Sequence, residues 1–378
     1  MRIRSICSIM FYMRWEAQTL QVDHEQLDIA DGDTPSGGVQ HPMVDLELSS
    51  PTPEFAHTEF HEVITKSALN KVPEASNMPF RWSINPYRGC THACVYCYAR
   101  GTHEYLDFNY GEDFDRQIVV KVNIVDALRQ ELKRGKWDGQ TVALGTNTDP
   151  YQRAEGRYQL MPGLLAELGK AGAPVSLLTK GTLLSRDIPL LQSLAPEIPL
   201  DIGVSLAMID PQLTEIFEPG TPSPSARLKL IEKLSSAGAN VSIMAMPIIP
   251  WLTDSINAME QLFSSVASAG ATSIQTTPLF LRPGSREWFM SFIQSQYPHL
   301  LAGFQSMYSG RIYAPARYAN KLRAKTRQLA HQHGLGIGAV HESEKDPDVH
   351  FRTHLPIRPV NSRSTTTQTP GTNQQALF

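Results

Sequence analysis

Residues 85–100 read Asn85-Pro-Tyr-Arg-Gly-Cys90-Thr-His-Ala-Cys94-Val-Tyr-Cys97-Tyr-Ala-Arg100. This run places three of the chain's four cysteines in the spacing Cys-x3-Cys-x2-Cys, with Tyr96 directly before the last one. Cysteine thiolates hold iron–sulfur clusters, and a cubane normally takes four of them. Because three ligands on one loop leave one iron open to a small molecule, the spacing indicates a catalytic centre rather than an electron relay.

The run resembles the cluster loop of the radical S-adenosylmethionine (SAM) superfamily. Its flanks, Asn85-Pro-Tyr-Arg-Gly and Tyr98-Ala-Arg, resemble the branch that contains spore photoproduct lyase, and the likeness extends from about residue 80 to residue 334. Within that branch the chain is most similar to an uncharacterised actinobacterial family that carries two further stretches. These stretches are His61-Glu-Val63 and Gly145-Thr-Asn-Thr-Asp-Pro-Tyr151 here.

Two other interpretations of the cysteines stay open. His92 lies between two of them and His103 lies six residues beyond the third, so a zinc site with three cysteines and one histidine is conceivable. A disulfide leaves one of the three cysteines unpaired and requires a secreted protein.

Length and composition fit a cytoplasmic enzyme. The 378 residues are enough for an α/β barrel, which commonly uses roughly 200–250 residues or more. A net charge of −3, from 34 basic and 37 acidic residues, does not by itself indicate nucleic-acid binding. No apolar run approaches the roughly 20 residues of a membrane span, the N-terminus lacks a clean cleavage site, and low cysteine use is typical of a reducing compartment.

The composition divides the chain into four segments. Residues 1–60 are predicted to be a mobile N-terminal segment, in which Met13 looks like an alternative start, so that residues 1–12, including Cys7, are expected to be an annotation artefact. Residues 76–310 are predicted to form the radical SAM core domain and residues 311–338 a helical extension. Residues 339–378 are rich in Pro, Thr, Gln and Arg and are predicted to be disordered.

From residue 80 onward, short apolar runs alternate with helical patterns, which predicts repeated β–α units and a parallel sheet. Six such units predict an open partial (β/α)6 barrel of the TIM type, as the resemblance also implies, with a doubly wound α/β fold as the alternative. The six predicted strands are Phe80–Asn85, Thr141–Gly145, Val175–Thr179, Leu200–Leu206, Val241–Pro247 and Ser273–Leu281.

The resemblance implies that Cys90, Cys94 and Cys97 bind a [4Fe–4S] cluster whose fourth iron chelates SAM. Reduction by one electron would then cleave SAM to methionine and a 5′-deoxyadenosyl radical. The residues predicted to bind SAM follow the cluster loop or the barrel strands; they are Tyr96, Thr146, Asn147, Thr148, Lys180, Ser205 and Pro247. Among these, Lys180 is expected at the SAM carboxylate and Ser205 at the ribose, while the segment around Thr148 is alternatively a capped turn.

The chain departs from this branch at two places. The usual Gly-Gly-Glu motif is absent, and the segment that begins at Gly145 stands in its place. Spore photoproduct lyase quenches its product radical with a cysteine near the end of the second strand, where this chain has Gly145, Thr146 and Asn147. Tyr151, Tyr96 and Tyr98 are therefore the candidate hydrogen-atom donors.

The predicted function is a radical SAM enzyme of lyase or oxidoreductase type, acting on nucleic acid in a DNA repair-like reaction by analogy with the branch alone. Alternatives are modification of a peptide or small metabolite, and an iron–sulfur or zinc protein without turnover. The expected electron donor is a flavodoxin or ferredoxin. The final pentapeptide resembles a sliding-clamp binding motif through Gln374, Leu377 and Phe378.

Overall fold

The computed structural model describes residues 57–76, 78–337, 339–340 and 351–352. Its strands, numbered in chain order, are β1 (Glu59–Val63), β2 (Leu69–Lys71), β3 (Trp82–Ile84), β4 (Tyr87–Arg88), β5 (Gln117–Lys121), β6 (Val142–Leu144), β7 (Val175–Thr179), β8 (Leu200–Ser205), β9 (Val241–Ile248), β10 (Ser273–Pro278), β11 (Gly336–Ile337), β12 (Ala339–Val340) and β13 (Phe351–Arg352).

Its α-helices are α1 (Glu112–Arg116), α2 (Ile124–Lys133), α3 (Arg153–Tyr158), α4 (Leu160–Lys170), α5 (Ile188–Leu194), α6 (Pro211–Phe217), α7 (Pro224–Ser236), α8 (Ile256–Ser268), α9 (Ser285–Gln296), α10 (Pro298–Met307) and α11 (Ala316–Gln332). Short 3-10 helices cover Glu74–Ser76, Arg100–Leu106 and Thr182–Asp187.

The main sheet has the order β2-β3-β6-β7-β8-β9-β10-β11, and every neighbouring pair except β2 and β3 is parallel. The six strands β3 and β6 to β10 lie side by side in chain order, so the strand order does not reverse as it does in a doubly wound sheet. The predicted open partial barrel is therefore confirmed, and the doubly wound alternative is wrong.

The two faces of the main sheet differ in burial. Along β7, Val175 and Leu177 are buried in the main hydrophobic core, whereas Ser176, Leu178 and Lys180, which directly follows the strand, are partly exposed. Successive side chains of a strand point to opposite faces. The outer face therefore packs under the helices, while Ser176 and Leu178 lie on the inner face of the barrel.

A second sheet, of order β1-β5-β4, was not predicted. Strand β1 runs parallel to β5, and β4 runs antiparallel to it. Because β1 begins at Glu59, it starts inside the segment predicted to be mobile. Residues 1–56, which include Cys7 and the alternative start, lie outside the described residues.

Local sequence signals explain where several barrel helices begin. Ser223 caps α7 by accepting a hydrogen bond from the backbone N–H of Ala226, and Pro224 occupies the first helical position. Ser255 caps α8 in the same way, from Ala258. Such caps satisfy N–H groups that have no partner within the helix, and proline at the first turn loses no helical hydrogen bond.

Helix α11 lies within the predicted helical extension and packs against β10 and α8. Thr326 of α11 hydrogen-bonds Thr276 of β10 through their hydroxyls at 2.7 Å. Beyond it, β12 and β13 form an antiparallel pair. The clamp-like pentapeptide lies outside the described residues, and none of the described helices is long and apolar enough to cross a membrane.

Candidate active site

The cysteine loop follows β4 and ends at the 3-10 helix that starts at Arg100. Cys90, Cys94 and Cys97 are all free thiols; the first two are buried and Cys97 is partly buried. Burial, together with the charge of Cys90, raises the pKa of the Cys97 thiol to about 11, and burial raises that of Cys94 well above its ordinary value. Because iron stabilises thiolates that burial alone disfavours, this donor set suits a metal cluster.

Both histidines of the zinc alternative have polar partners outside the cysteines. In the described part of the chain, no group of three or more His, Cys, Asp or Glu side chains is close enough to hold a single metal ion. Ring Nε2 of His103 is 2.9 Å from the backbone oxygen of Gln117, and Nδ1 of His92 is 3.3 Å from a carboxylate oxygen of Asp149. A cubane spreads its ligands over separate irons, so it does not need the tight tetrahedron of a zinc site.

Arg100, at the end of the loop, is fully buried and holds the loop in place. Its Nε donates to the backbone oxygen of Cys94 at 3.1 Å, and one terminal nitrogen donates to Gly111 at 2.8 Å. The other terminal nitrogen lies 2.8 and 2.9 Å from the two carboxylate oxygens of Asp115. The guanidinium also lies over the ring of Trp288. One side chain therefore ties the cysteine loop to α1 and α9.

Neighbouring elements hold the other side of the loop. The Ser285 hydroxyl donates to the backbone oxygen of Cys97 at 2.8 Å, and the N–H of Gly220 donates to that of His92 at 3.1 Å. A Cβ at position 220 would lie 1.9 Å from the backbone oxygen of Thr91, so only glycine allows this approach. The loop is thus anchored by backbone contacts on both sides.

The segment that replaces the Gly-Gly-Glu motif is organised by Asp149. Its carboxylate accepts hydrogen bonds from the backbone N–H groups of Tyr151 at 2.9 Å and Lys180 at 2.6 Å, and from the Thr179 hydroxyl at 2.5 Å. Burial raises the pKa of Asp149, but His92 and the hydrogen bonds from Lys180 and Thr179 together outweigh burial and lower the pKa below its ordinary value. The segment is therefore a turn that the Asp149 carboxylate caps.

The three predicted residues of this segment differ in their contacts. The Thr148 hydroxyl is buried and donates to the backbone oxygen of Tyr87 at 2.8 Å, while Asn147 is partly exposed. The backbone oxygen of Thr146 accepts a hydrogen bond from the Tyr98 hydroxyl. Position 146 therefore lies directly beside the cysteine loop.

Three predicted residues, Tyr96, Lys180 and Ser205, meet around a buried carboxylate that sequence reasoning missed. Nζ of Lys180 lies 2.6 Å from the Ser205 hydroxyl and 3.3 Å from Glu218, whose carboxylate also accepts a hydrogen bond from the Tyr96 hydroxyl. Glu218 pairs with Arg227 at 2.7 Å, and both side chains are fully buried.

The charges around Glu218 decide its protonation. Burial raises the pKa of this carboxyl, but Arg227, Lys180 and the Tyr96 hydroxyl together outweigh burial and lower the pKa to about 2. The cluster thus contains one carboxylate for two cations. It carries one excess positive charge on the inner face of the barrel, where an anion would be favoured.

The remaining predicted residues lie in different surroundings. Tyr151 is buried in the main core, and its hydroxyl donates to Asp187 at 2.9 Å. Tyr98 is 40% exposed and contacts Phe280 at 5.7 Å between ring centroids. Pro247 is buried near the end of β9 and follows a cis peptide bond.

With this geometry established, the chain can be compared with known proteins. The family model of the radical SAM superfamily matches residues 84–262, which contain the three cysteines, Lys180 and Glu218. The chain belongs to the radical SAM superfamily. It is a radical SAM enzyme, and membership implies a [4Fe–4S] cluster and SAM as cofactors.

Among its relatives, an uncharacterised protein of Mycobacterium tuberculosis is 48% identical over 323 residues, which are 85% of this chain and 93% of the relative. An uncharacterised protein of Methanocaldococcus jannaschii is 29% identical over 52% of this chain and 70% of its own length.

Among solved structures, a spore photoproduct lyase variant matches with a TM-score of 0.57 and 16% identity, over 74% of this chain and 81% of that one. At this identity the likeness shows the fold. It supports the predicted barrel with an experimental structure of the same architecture.

Proposed function

We propose that Cys90, Cys94 and Cys97 hold the [4Fe–4S] cluster and that the protein cleaves SAM reductively to act on nucleic acid. The observation that carries the first part is the loop itself, three free thiols at the carboxyl end of the barrel strands, where catalytic groups of α/β barrels lie. When bound, the cluster would supply one electron to the sulfonium of SAM and release methionine and a 5′-deoxyadenosyl radical.

The chain's own residues would orient SAM. Lys180 and Arg227 lie beside the single carboxylate of Glu218, so one positive charge is left in excess, and Lys180 would bind the SAM carboxylate. Ser205, whose hydroxyl oxygen accepts a hydrogen bond from Lys180 at 2.6 Å, would bind the ribose from the next strand. Lys180 is partly exposed, whereas Ser205 is buried beside it.

The test of the cluster assignment is anaerobic reconstitution with iron and sulfide. We expect about four irons per chain and release of 5′-deoxyadenosine from SAM that depends on dithionite. The matched control is Cys7→Ala, which removes the fourth cysteine and is expected to change neither result. If the triple Cys90/Cys94/Cys97→Ala variant kept its iron and its SAM cleavage, the assignment would be wrong.

Support for a nucleic-acid substrate comes from the barrel mouth. Tyr98, Phe280 and Tyr313 form a chain of ring contacts there, and the exposed Arg282 lies within 6.0 Å of two of these rings. Aromatic and arginine side chains together are typical of surfaces on which unpaired bases stack. One solved spore photoproduct lyase with this fold is complexed with a dinucleoside spore photoproduct.

The same mouth favours Tyr98 as hydrogen-atom donor. Its hydroxyl donates to the backbone oxygen of Thr146, which lies in the stretch 145–147 where the resemblance places the quenching cysteine of spore photoproduct lyase. By contrast, Tyr96 is bound to Glu218 and Tyr151 lies in the core. The O–H bond of Tyr98 would break as a C–H bond forms on the substrate radical. One electron from the flavodoxin or ferredoxin and one proton from solvent would then restore the phenol.

The test of this role is Tyr98→Phe, which removes only the hydroxyl. We expect the variant to keep its release of 5′-deoxyadenosine and to lose most product formation, with Tyr151→Phe as the control that keeps both. Equal product formation by wild type and Tyr98→Phe would exclude Tyr98.

A cytoplasmic enzyme that acts on DNA would also gain from tethering at a replication clamp. Leu377 and Phe378 would anchor in an apolar pocket while Gln374 fixes the register, and tethering would raise the local concentration of the enzyme. The test is binding of the full-length protein to purified clamp, compared with a deletion of Leu377 and Phe378. Equal binding by both proteins, or binding by neither, would remove this proposal.

A further inference from the structure

The side chain of Gln275 on β10 is buried without hydrogen bonds. It is 2% exposed, and neither its Oε1 nor its Nε2 has a hydrogen-bond partner among the described residues. Most buried polar groups in proteins are paired, and each one left unpaired is a cost to folding. Such a group therefore calls for a ligand or another reason to be kept.

The neighbours of Gln275 show where its side chain points. Ile274 belongs to the main core under the helices, and the Thr276 hydroxyl bonds Thr326 of α11. Gln275 lies between them and therefore points to the opposite face, into the barrel. Thr277, two residues on, faces the same way and contacts the sulfur of Met246 on β9.

The strand register places Gln275 in the same layer as the predicted SAM residues. Ser205 pairs with Met244, and Met244 pairs with Gln275. Because Lys180 bonds Ser205, one layer runs from Lys180 through Ser205 and Met244 to Gln275. Gln275 therefore stands at the far end of the layer in which the excess positive charge lies.

Small residues form the neighbouring layer of the barrel interior. The layer below it, toward the amino ends of the strands, contains Gly203, Ser242 and Ser273 where filled barrels carry large branched side chains. The Ser242 hydroxyl bonds that of Ser273 at 2.9 Å, and Ser242 is partly exposed. Small side chains therefore line the barrel interior next to Gln275.

The route to Gln275 passes the aromatic mouth. Strand β10 continues directly into Phe280 and Arg282, which contact Tyr98. In the described residues, no carboxylate lies within ion-pair distance of Arg282, so its charge is available to a phosphate. A stacking surface with an unpaired arginine outside, and an unpaired carboxamide inside, suits a base attached to its backbone.

We propose that the Gln275 carboxamide binds the edge of a nucleobase that enters the barrel past Tyr98, Phe280 and Arg282. A carboxamide offers one donor beside one acceptor, and base edges present the complementary pair. The proposal deepens the proposed function and rests on its nucleic-acid part. Gln275 would bind the substrate, while SAM would be cleaved beside the cysteine loop on the other side of the barrel.

The test uses fluorescein-labelled five-nucleotide homopolymers of thymidine, deoxyadenosine and deoxycytidine, titrated with reconstituted enzyme in the presence of SAM and without reductant. We expect Gln275→Met to weaken binding of at least one homopolymer about tenfold, as loss of two neutral hydrogen bonds implies. Gln296→Met, at an exposed glutamine, is the matched control and is expected to bind like the wild type. Gln275→Leu, which also removes both the donor and the acceptor, serves in place of Gln275→Met if the latter does not fold.

A second readout separates binding from a structural role. Because Gln275→Met removes an unpaired polar group, the ligand-free variant should melt at a higher temperature than the wild type. Equal binding by wild type and variant, no binding of any homopolymer, or a lower melting temperature would overturn the proposal. Since no step of this test requires turnover, failure of SAM cleavage would refute the cluster assignment without affecting this result.

Discussion

Glu218→Gln is the change that tests the buried charge cluster most directly. It keeps the shape of the side chain but removes the charge that Arg227 and Lys180 share. The pKa of the carboxyl falls from its ordinary 4.5 to about 2 on folding, which corresponds to ~3 kcal/mol of stability at neutral pH. Loss of one partner of a buried ion pair costs a similar amount, about 3–5 kcal/mol.

The assay is urea unfolding under anaerobic, reducing conditions, with Glu215→Gln as control. Glu215 lies three residues earlier on α6 and is exposed, so its replacement should change the unfolding free energy by less than ~0.5 kcal/mol. Glu218→Gln should lower that free energy by ~3 kcal/mol at pH 7.

The pH dependence of stability tests the direction of the pKa shift of Glu218. Because folding lowers the pKa of Glu218, its contribution is complete above about pH 4.5 and is lost as the pH falls toward 2. About half of the difference between wild type and Glu218→Gln should be gone near roughly pH 3.3. A difference below ~1 kcal/mol at pH 7, or one that grows as the pH falls from 4.5, would refute the reasoning.

Two further changes follow from the same geometry. Arg100→Lys cannot reproduce the paired bonds to Asp115 together with those to the loop, so it should destabilise the protein by ~3 kcal/mol and reduce the iron retained after desalting. Arg116→Lys, at an exposed ion pair, should do neither. Lys180→Ala should weaken SAM binding roughly tenfold to a hundredfold in calorimetry while the cluster stays intact, and unchanged affinity would show that the lysine does not contact SAM.

The repeated units of the barrel were predictable because their signals are local. Alternating apolar strands and amphipathic helices each occupy a few consecutive residues, and all six predicted strands occur in the order that a barrel requires. The cysteine loop was predictable for the same reason, since its spacing lies within one stretch of chain. The boundaries differ by a few residues, as at β10, which ends at Pro278.

Glu218 could not be found in this way. It follows α6 and precedes Pro219 and Gly220, where an acidic residue looks like part of an exposed turn. Its hydroxyl partner Tyr96 is 122 residues away in sequence, and no local pattern marks that contact. The sheet formed by β1, β5 and β4 was missed for the same reason, because strands far apart in sequence pair only in the folded chain.

Because of the charge balance around Glu218, the variants Lys180→Ala and Glu218→Gln should differ in their affinity for SAM. Lys180 and Arg227 share one carboxylate, so the cluster keeps one excess positive charge that an incoming carboxylate would neutralise. Lys180→Ala removes this excess, whereas Glu218→Gln increases it and leaves Lys180 free to turn toward the ligand. If Lys180 binds the SAM carboxylate, Glu218→Gln should therefore destabilise the protein without weakening SAM binding. If both variants lost SAM affinity, the charged side chains around Glu218 would instead stabilise the structure of the barrel and would not bind SAM.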